Sequence, residues 1–183
     1  MDIGIQFVLN KRRVIMLEKL TDIFKNSSIQ DIYLVGFVDI EDGIANFYPD
    51  MRFYYFEVGE QFLELESMDQ YSKLSVNIVD SIRYKFEIDE DMQPCKTSVN
   101  QIVLTDSMST KNTVKSIIIY GLEVSNREQI ICDSIQLNLN NGQELFIDPS
   151  FYFGINIGGA EQRMFWVENL AYGTKVSETI IEI

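Results

Sequence analysis

Residues 52–66 read Arg52-Phe53-Tyr54-Tyr55-Phe56-Glu57-Val58-Gly59-Glu60-Gln61-Phe62-Leu63-Glu64-Leu65-Glu66, and the fold turns on how this stretch pairs with itself. Aromatic and branched side chains suit a pleated surface, where they pack against neighbours on the same face. Gly59-Glu60 interrupts them with a residue that accepts positive φ, the mark of a two-residue hairpin loop. Folding the chain back at that point sets Val58 opposite Gln61, Phe56 opposite Leu63 and Tyr54 opposite Leu65, an apolar face assigned to the core. The reverse face then carries Glu57 beside Phe62, Tyr55 beside Glu64 and Phe53 beside Glu66. A slip of one residue would mix the two faces, so this antiparallel register is the expectation.

The period of two continues outward from the hairpin. Residues 32–40 and 44–48 flank Asp42-Gly43, a second two-residue turn signal. In 82–88, Ile82, Tyr84, Phe86 and Ile88 alternate with Arg83, Lys85 and Glu87, which predicts a strand with the apolar set inward and the charged set outward. Ile117-Ile118-Ile119-Tyr120 is continuously apolar and predicts a strand covered on both faces. At Asn140-Asn141-Gly142 a three-residue loop with Gly142 left-handed pairs Leu137 with Leu145 and Ile135 with Ile147, which keeps the faces separate. Asp148-Pro149 is expected to end that strand, because proline cannot donate to a ladder.

Helical spacing occurs near the start, where Val14, Leu17, Leu20 and Phe24 recur at intervals of three and four. Asn10 can cap this amphipathic helix of about 15 residues, and Asn26-Ser27-Ser28 closes it. Its basic residues Lys11, Arg12, Arg13, Lys19 and Lys25 are interrupted by Glu18 and Asp22, the pattern of a solvated face. The fold class is therefore mainly β, bordering on α+β: an antiparallel sandwich or curved double sheet with one N-terminal amphipathic helix. The 183 residues suffice for a single domain over 1–183, and any sub-lobe boundary belongs at the exposed linker 89–98.

The chain has no histidine, which removes Ser–His and Cys–His nucleophile activation and the commonest zinc ligand. Cys95 and Cys132 are too few for a disulfide framework, and no cofactor motif is present, so a reduced, cytoplasmic protein without cofactor or metal is expected. The apolar run within Met1–Leu9 precedes Lys11, Arg12 and Arg13, the reverse of a secretory signal. No apolar run approaches the roughly 18 residues of a membrane span, and no membrane partner is expected.

The net charge is −13, unevenly spread: residues 1–30 carry five basic and three acidic groups, whereas 31–93 carry four basic and fifteen acidic. Such a segment repels phosphate backbones, so nucleic acid is not an expected partner, and it attracts a basic protein.

Candidate sites follow from these constraints. Asp39, Glu41, Asp42 and Gly43 gather oxygen ligands but lack the spacing of a calcium loop. Pro49-Asp50 followed by Glu57 resembles the acidic half of the PD-(D/E)xK nuclease pattern, yet Gly59 stands where the lysine is required. Phe151-Tyr152-Phe153 before Gly154, and the pair Gly158-Gly159, read as bends with buried rings, and Met164-Phe165-Trp166-Val167 as core. The face formed by Phe53, Tyr55, Glu57, Phe62, Glu64 and Glu66 is the candidate binding surface, with rings as anchors and carboxylates for Lys or Arg.

The resulting expectation is a small acidic protein-binding or inhibitory module, not an enzyme, that covers a basic partner. Its size, acidity and lack of catalytic apparatus resemble the profile of bacterial immunity proteins, a likeness of properties carried by no motif. Two alternatives stand beside it. One is an enzyme that uses only carboxylates, acting on sugars or another neutral substrate. The other is an assembly subunit, such as a homodimer, that uses the aromatic-acidic face as its interface.

Overall fold

The computed structural model describes residues 16–106, 112–123, 129–171 and 173–183. The expected cap Asn10, the basic Lys11, Arg12 and Arg13, and Val14 lie outside them. Helix α1 occupies residues 16–26. It buries Met16, Leu20, Ile23 and Phe24 in the main core and packs Leu17 against it, the stripe that its spacing implies.

The rest is two antiparallel sheets. In chain order the first receives β1 (Ile29–Glu41), β2 (Ile44–Val58), β3 (Gln61–Met68), β4 (Lys73–Val79) and β5 (Gln93–Ser98). After the short helix α2 (Asn100–Val103) come β6 (Val114–Tyr120), β7 (Gln129–Cys132), β8 (Ser134–Leu139), β9 (Glu144–Phe151) and β10 (Gly154–Gly158). Helix α3 (Ala160–Asn169) and β11 (Glu178–Glu182) complete the fold. The first sheet has the order β5-β1-β2-β3-β4-β7, and the second β10-β9-β8-β6-β11.

The sheets face each other across one apolar layer. The first contributes Ile32, Phe56, Leu63, Leu65 and Val76, and the second Ile117, Ile119, Ile135, Leu137 and Ile147. The protein is thus mainly β, a two-sheet sandwich with an N-terminal helix, as the alternation predicts. Among the described residues no helix is long and apolar enough to cross a membrane.

Turn chemistry fixed the local registers. Asp42 and Gly43 both have positive φ, 51° and 78°, and Glu41 pairs with Ile44. Gly142 has φ 88°, and Leu137 pairs with Leu145 and Ile135 with Ile147. Ile117 and Ile119 face the intersheet core, while Ile118 and Tyr120 pack beneath α3 with Phe146 and Trp166.

Three expectations need correction. Pro149 does not end its strand: β9 runs on to Phe151, because pairing with β8 stops at Ile147 and pairing with β10 is irregular there. At that place proline forfeits no ladder hydrogen bond. Residues 82–88 form no strand but an extended strap lying over the first sheet. Gln93–Ser98, placed in a linker, instead forms the edge strand β5 against β1.

Candidate functional site

The hairpin of residues 52–66 has the register derived from its sequence: Val58 pairs with Gln61, Phe56 with Leu63, Tyr54 with Leu65, Glu57 with Phe62, Tyr55 with Glu64 and Phe53 with Glu66. The six candidate residues do share the outer face of the first sheet. That face is not open, however. Phe53 is 3% exposed, and Tyr55 and Glu64 are fully buried. Phe62 is half-buried against Tyr33, Glu57 accepts a 3.0 Å hydrogen bond from Tyr33 Oη, and Glu66 is paired with Lys85 at 2.6 Å.

The strap supplies the cover. Ile82 and Phe86 pack against the aromatic cluster of Val35, Phe53 and Tyr55. Arg83 and Lys85, expected outward, turn in to the buried carboxylate of Glu64. Arg83 grips it as a fork, Nη2 at 2.6 Å from Oε1 and Nε at 3.1 Å from Oε2, while Lys85 Nζ lies 2.9 Å from Oε1. Asn77 Nδ2 donates at 3.1 Å, and Tyr55 Oη lies 2.8 Å from Oε2 and 2.6 Å from the carbonyl oxygen of Arg83.

A carboxylate without water is tolerable only with such partners. Burial pushes the Glu64 carboxyl up, but the hydrogen bonds from Arg83, Lys85 and Tyr55 outweigh it and hold it below the ordinary value. Burial and the neighbouring carboxylate push the Tyr55 phenol upward, so it stays protonated and can donate.

The unclaimed charge lies at one end of the same sheet. Beyond Gly36 and Pro49 the strands β1 and β2 continue as a hairpin arm, with Phe37 paired to Tyr48 and Asp39 to Asn46. Gly36 makes the crossing feasible, since a Cβ there would sit 2.1 Å from the Tyr48 carbonyl oxygen. The Phe37 ring stacks on Tyr48 at 5.3 Å and meets Phe86 of the strap at 6.3 Å.

Pairing of Gln93 with Val38 then places the turn at Asp89–Met92, closed by a 3.0 Å bond from Met92 N to Asp89 O, beside the arm tip. Asp39, Glu41 and Asp42 thereby join Glu87, Asp89, Glu90 and Asp91. None of these seven makes an ion pair or side-chain hydrogen bond among the described residues. Ile40 and Ile44 stand among them, 60% and 62% exposed. The flanking cations are committed elsewhere, Arg52 to Asp50 at 2.6 Å and Lys96 over the Tyr33 ring at 3.8 Å.

The sequence missed this surface for a plain reason. The arm was legible as a hairpin and the run 89–91 as a loop, but nothing local says that β5 returns to pair with β1. The one available signal is that neither Asp31–Met51 nor Phe86–Cys95 contains a Lys or Arg.

Other surface features differ from their expected places. Phe151, Tyr152 and Phe153 are exposed at the β9–β10 turn, packed edge to face on one another rather than buried. On α3 only Trp166 of the run Met164–Val167 is buried. Glu144, Glu178 and Glu182 line a cleft of ≈ 550 Å³ on the outer face of the second sheet, with Arg163 and Tyr120. Among the described residues no group of three Cys, Asp or Glu side chains is arranged to hold a metal ion. Neither a family model, nor a curated protein, nor a solved structure matches the chain.

Proposed function

We propose that the protein is a small binding module that covers a basic site on a protein partner, using the arm and the turn beside it. The observation that carries this reading is the convergence of two acidic segments, 39–42 and 87–91, at one sheet end where no cation among the described residues pairs with them. Unpaired carboxylates of one sign repel each other and cost stability, so the fold gains nothing from their proximity. A basic partner gains both attraction and rate of encounter, and Ile40, Ile44 and Tyr48 offer apolar contact among the charges. The two free thiols, Cys95 and buried Cys132, accord with a reducing, cytoplasmic setting.

The test is capture from native lysate by wild type and by an Asp39→Lys, Glu41→Lys, Asp42→Lys variant, with the captured protein then purified and titrated against both. A basic partner bound at least about tenfold more weakly by the variant, with affinity falling as salt rises, is the expected result. Equal affinity for both proteins refutes the arm as the binding surface. Sedimentation across a concentration series separates the assembly reading, which requires self-association that the same variant abolishes.

A further inference from the structure

The strap that closes the outer face of the first sheet has an unusual composition for this chain. Ile82-Arg83-Tyr84-Lys85-Phe86 alternates apolar or aromatic residues with cations, and it follows a stretch in which 31–81 holds only Arg52 and Lys73 as basic residues. It belongs to neither sheet, and among the described residues no backbone–backbone hydrogen bond ties 80–88 to a strand. Its hold is through side chains: Arg83 and Lys85 on Glu64, Lys85 on Glu66, Ile82 and Phe86 on the aromatic cluster, and the Tyr55 hydroxyl against the Arg83 backbone.

Beneath it lies a receptor of matching chemistry. Glu64 offers both oxygens to a bidentate guanidinium, Glu66 receives an ammonium, and the Phe53 ring sits 5.6 Å from Lys85 Nζ. We infer that this face is a groove for an extended basic–aromatic peptide segment, occupied in this structure by the chain's own segment 80–88. The inference rests on the reading that the partner is basic, and it identifies the kind of segment the partner presents.

Two features support exchange rather than a purely structural cover. The strap lacks the ladder bonds that make a strand costly to remove, and the Arg83 side chain is 49% exposed despite its fork on a buried carboxylate. The groove also runs into the arm: the strap ends at Phe86 against Phe37 and continues into the acidic turn. A basic partner landing on the arm is therefore delivered next to the end of the strap that it would replace. The tether favours the strap, because an attached segment competes at a high effective concentration.

The test uses the full chain and a peptide of its own residues 80–88, labelled for fluorescence anisotropy. In an Arg83→Gln, Lys85→Gln variant the tethered competitor loses its cations, and the peptide is expected to bind at least tenfold more tightly than to wild type. A control peptide with both cations replaced by Gln is expected to lose that gain. Should the double variant fail to fold, Lys85→Gln alone, which leaves Arg83 on Glu64, gives the same comparison with a smaller gain. Equal peptide affinity for wild type and folded variant, or equal binding of both peptides, overturns the groove. No arm partner enters this assay, so its failure leaves the arm reading standing, and failure of the arm titration leaves the groove standing.

Discussion

At the middle of the first sheet, Glu64 is sealed from water and accepts hydrogen bonds from Arg83, Lys85, Asn77 and Tyr55. At its end, Asp39, Glu41 and Asp42 pair with no cation among the described residues and stand beside the exposed Ile40 and Ile44. Both sets alternate with apolar residues, and both sit on hairpins with a two-residue turn. The difference is made by the rest of the chain. Residues 80–88 return across the centre of the sheet with two cations, whereas 87–91 return beside the arm with four more acids. Where a cation arrives, the carboxylate becomes part of what holds the fold together. Where none of the described residues brings one, the carboxylate is left to solvent, and there the proposed partner would meet it.

The largest effect is expected from breaking the paired region. Glu64→Gln removes the charge but keeps the shape, leaving Arg83 and Lys85 facing a neutral amide. Loss of about 2–4 kcal/mol is expected from urea unfolding. The pH dependence should change with it. Because the folded carboxyl lies below its unfolded value, its stabilisation is whole above about pH 4.3, the ordinary Glu value. It is lost as pH falls through the depressed folded value. Unfolding curves from pH 7 down to pH 3 should therefore fall more steeply for wild type than for Glu64→Gln. Parallel curves would mean that another carboxylate governs acid unfolding.

A smaller effect is expected from Gly36→Ala, which touches neither set of charges. Its Cβ would meet the Tyr48 carbonyl oxygen at 2.1 Å and the Pro49 Cα at 2.8 Å, both backbone atoms that cannot swing aside. About 1–3 kcal/mol is the usual cost of such overpacking. Partner binding should fall as well, since the arm would leave the strand it shares with the sheet. A variant with lost stability and intact binding would show that the arm works independently of its position.

What the sequence made legible divides along the same line. Residues 52–66 and 139–145 have local turns whose chemistry allows one register that separates apolar from polar, so the pairs named across them could be derived, while at 41–44 the turn alone was legible. Segment 82–88 has the same alternation and misled, because alternation reports that two faces differ and not which is inward or whether a neighbour completes a ladder. Here Ile82 and Phe86 do pack inward, yet Arg83 and Lys85 are inward too, drawn by a carboxylate nineteen and twenty-one positions earlier in the chain. The candidate face failed as an open surface for that one reason. The arm escaped notice because its second half arrives through the non-local pairing of β5 with β1. Likewise Phe151-Tyr152-Phe153 reads as core by composition, and only its place in a turn of the outermost hairpin exposes it.

The smallest effect sharpens the comparison most. Asp39→Asn, Glu41→Gln and Asp42→Asn together remove three charges that bond to no side chain among the described residues, so at 0.15 M salt the melting temperature should move by no more than about 2 °C. At low salt the sign is informative. Carboxylates of one sign within a Debye length repel, and that repulsion grows as screening is withdrawn. The neutralised arm should then melt above wild type in about 10 mM salt, and the gap should close as salt is added. If the triple variant instead melts lower than wild type at every salt concentration, these carboxylates have internal partners. The contrast with Glu64 then disappears, and the arm loses its claim to be a surface kept for another protein.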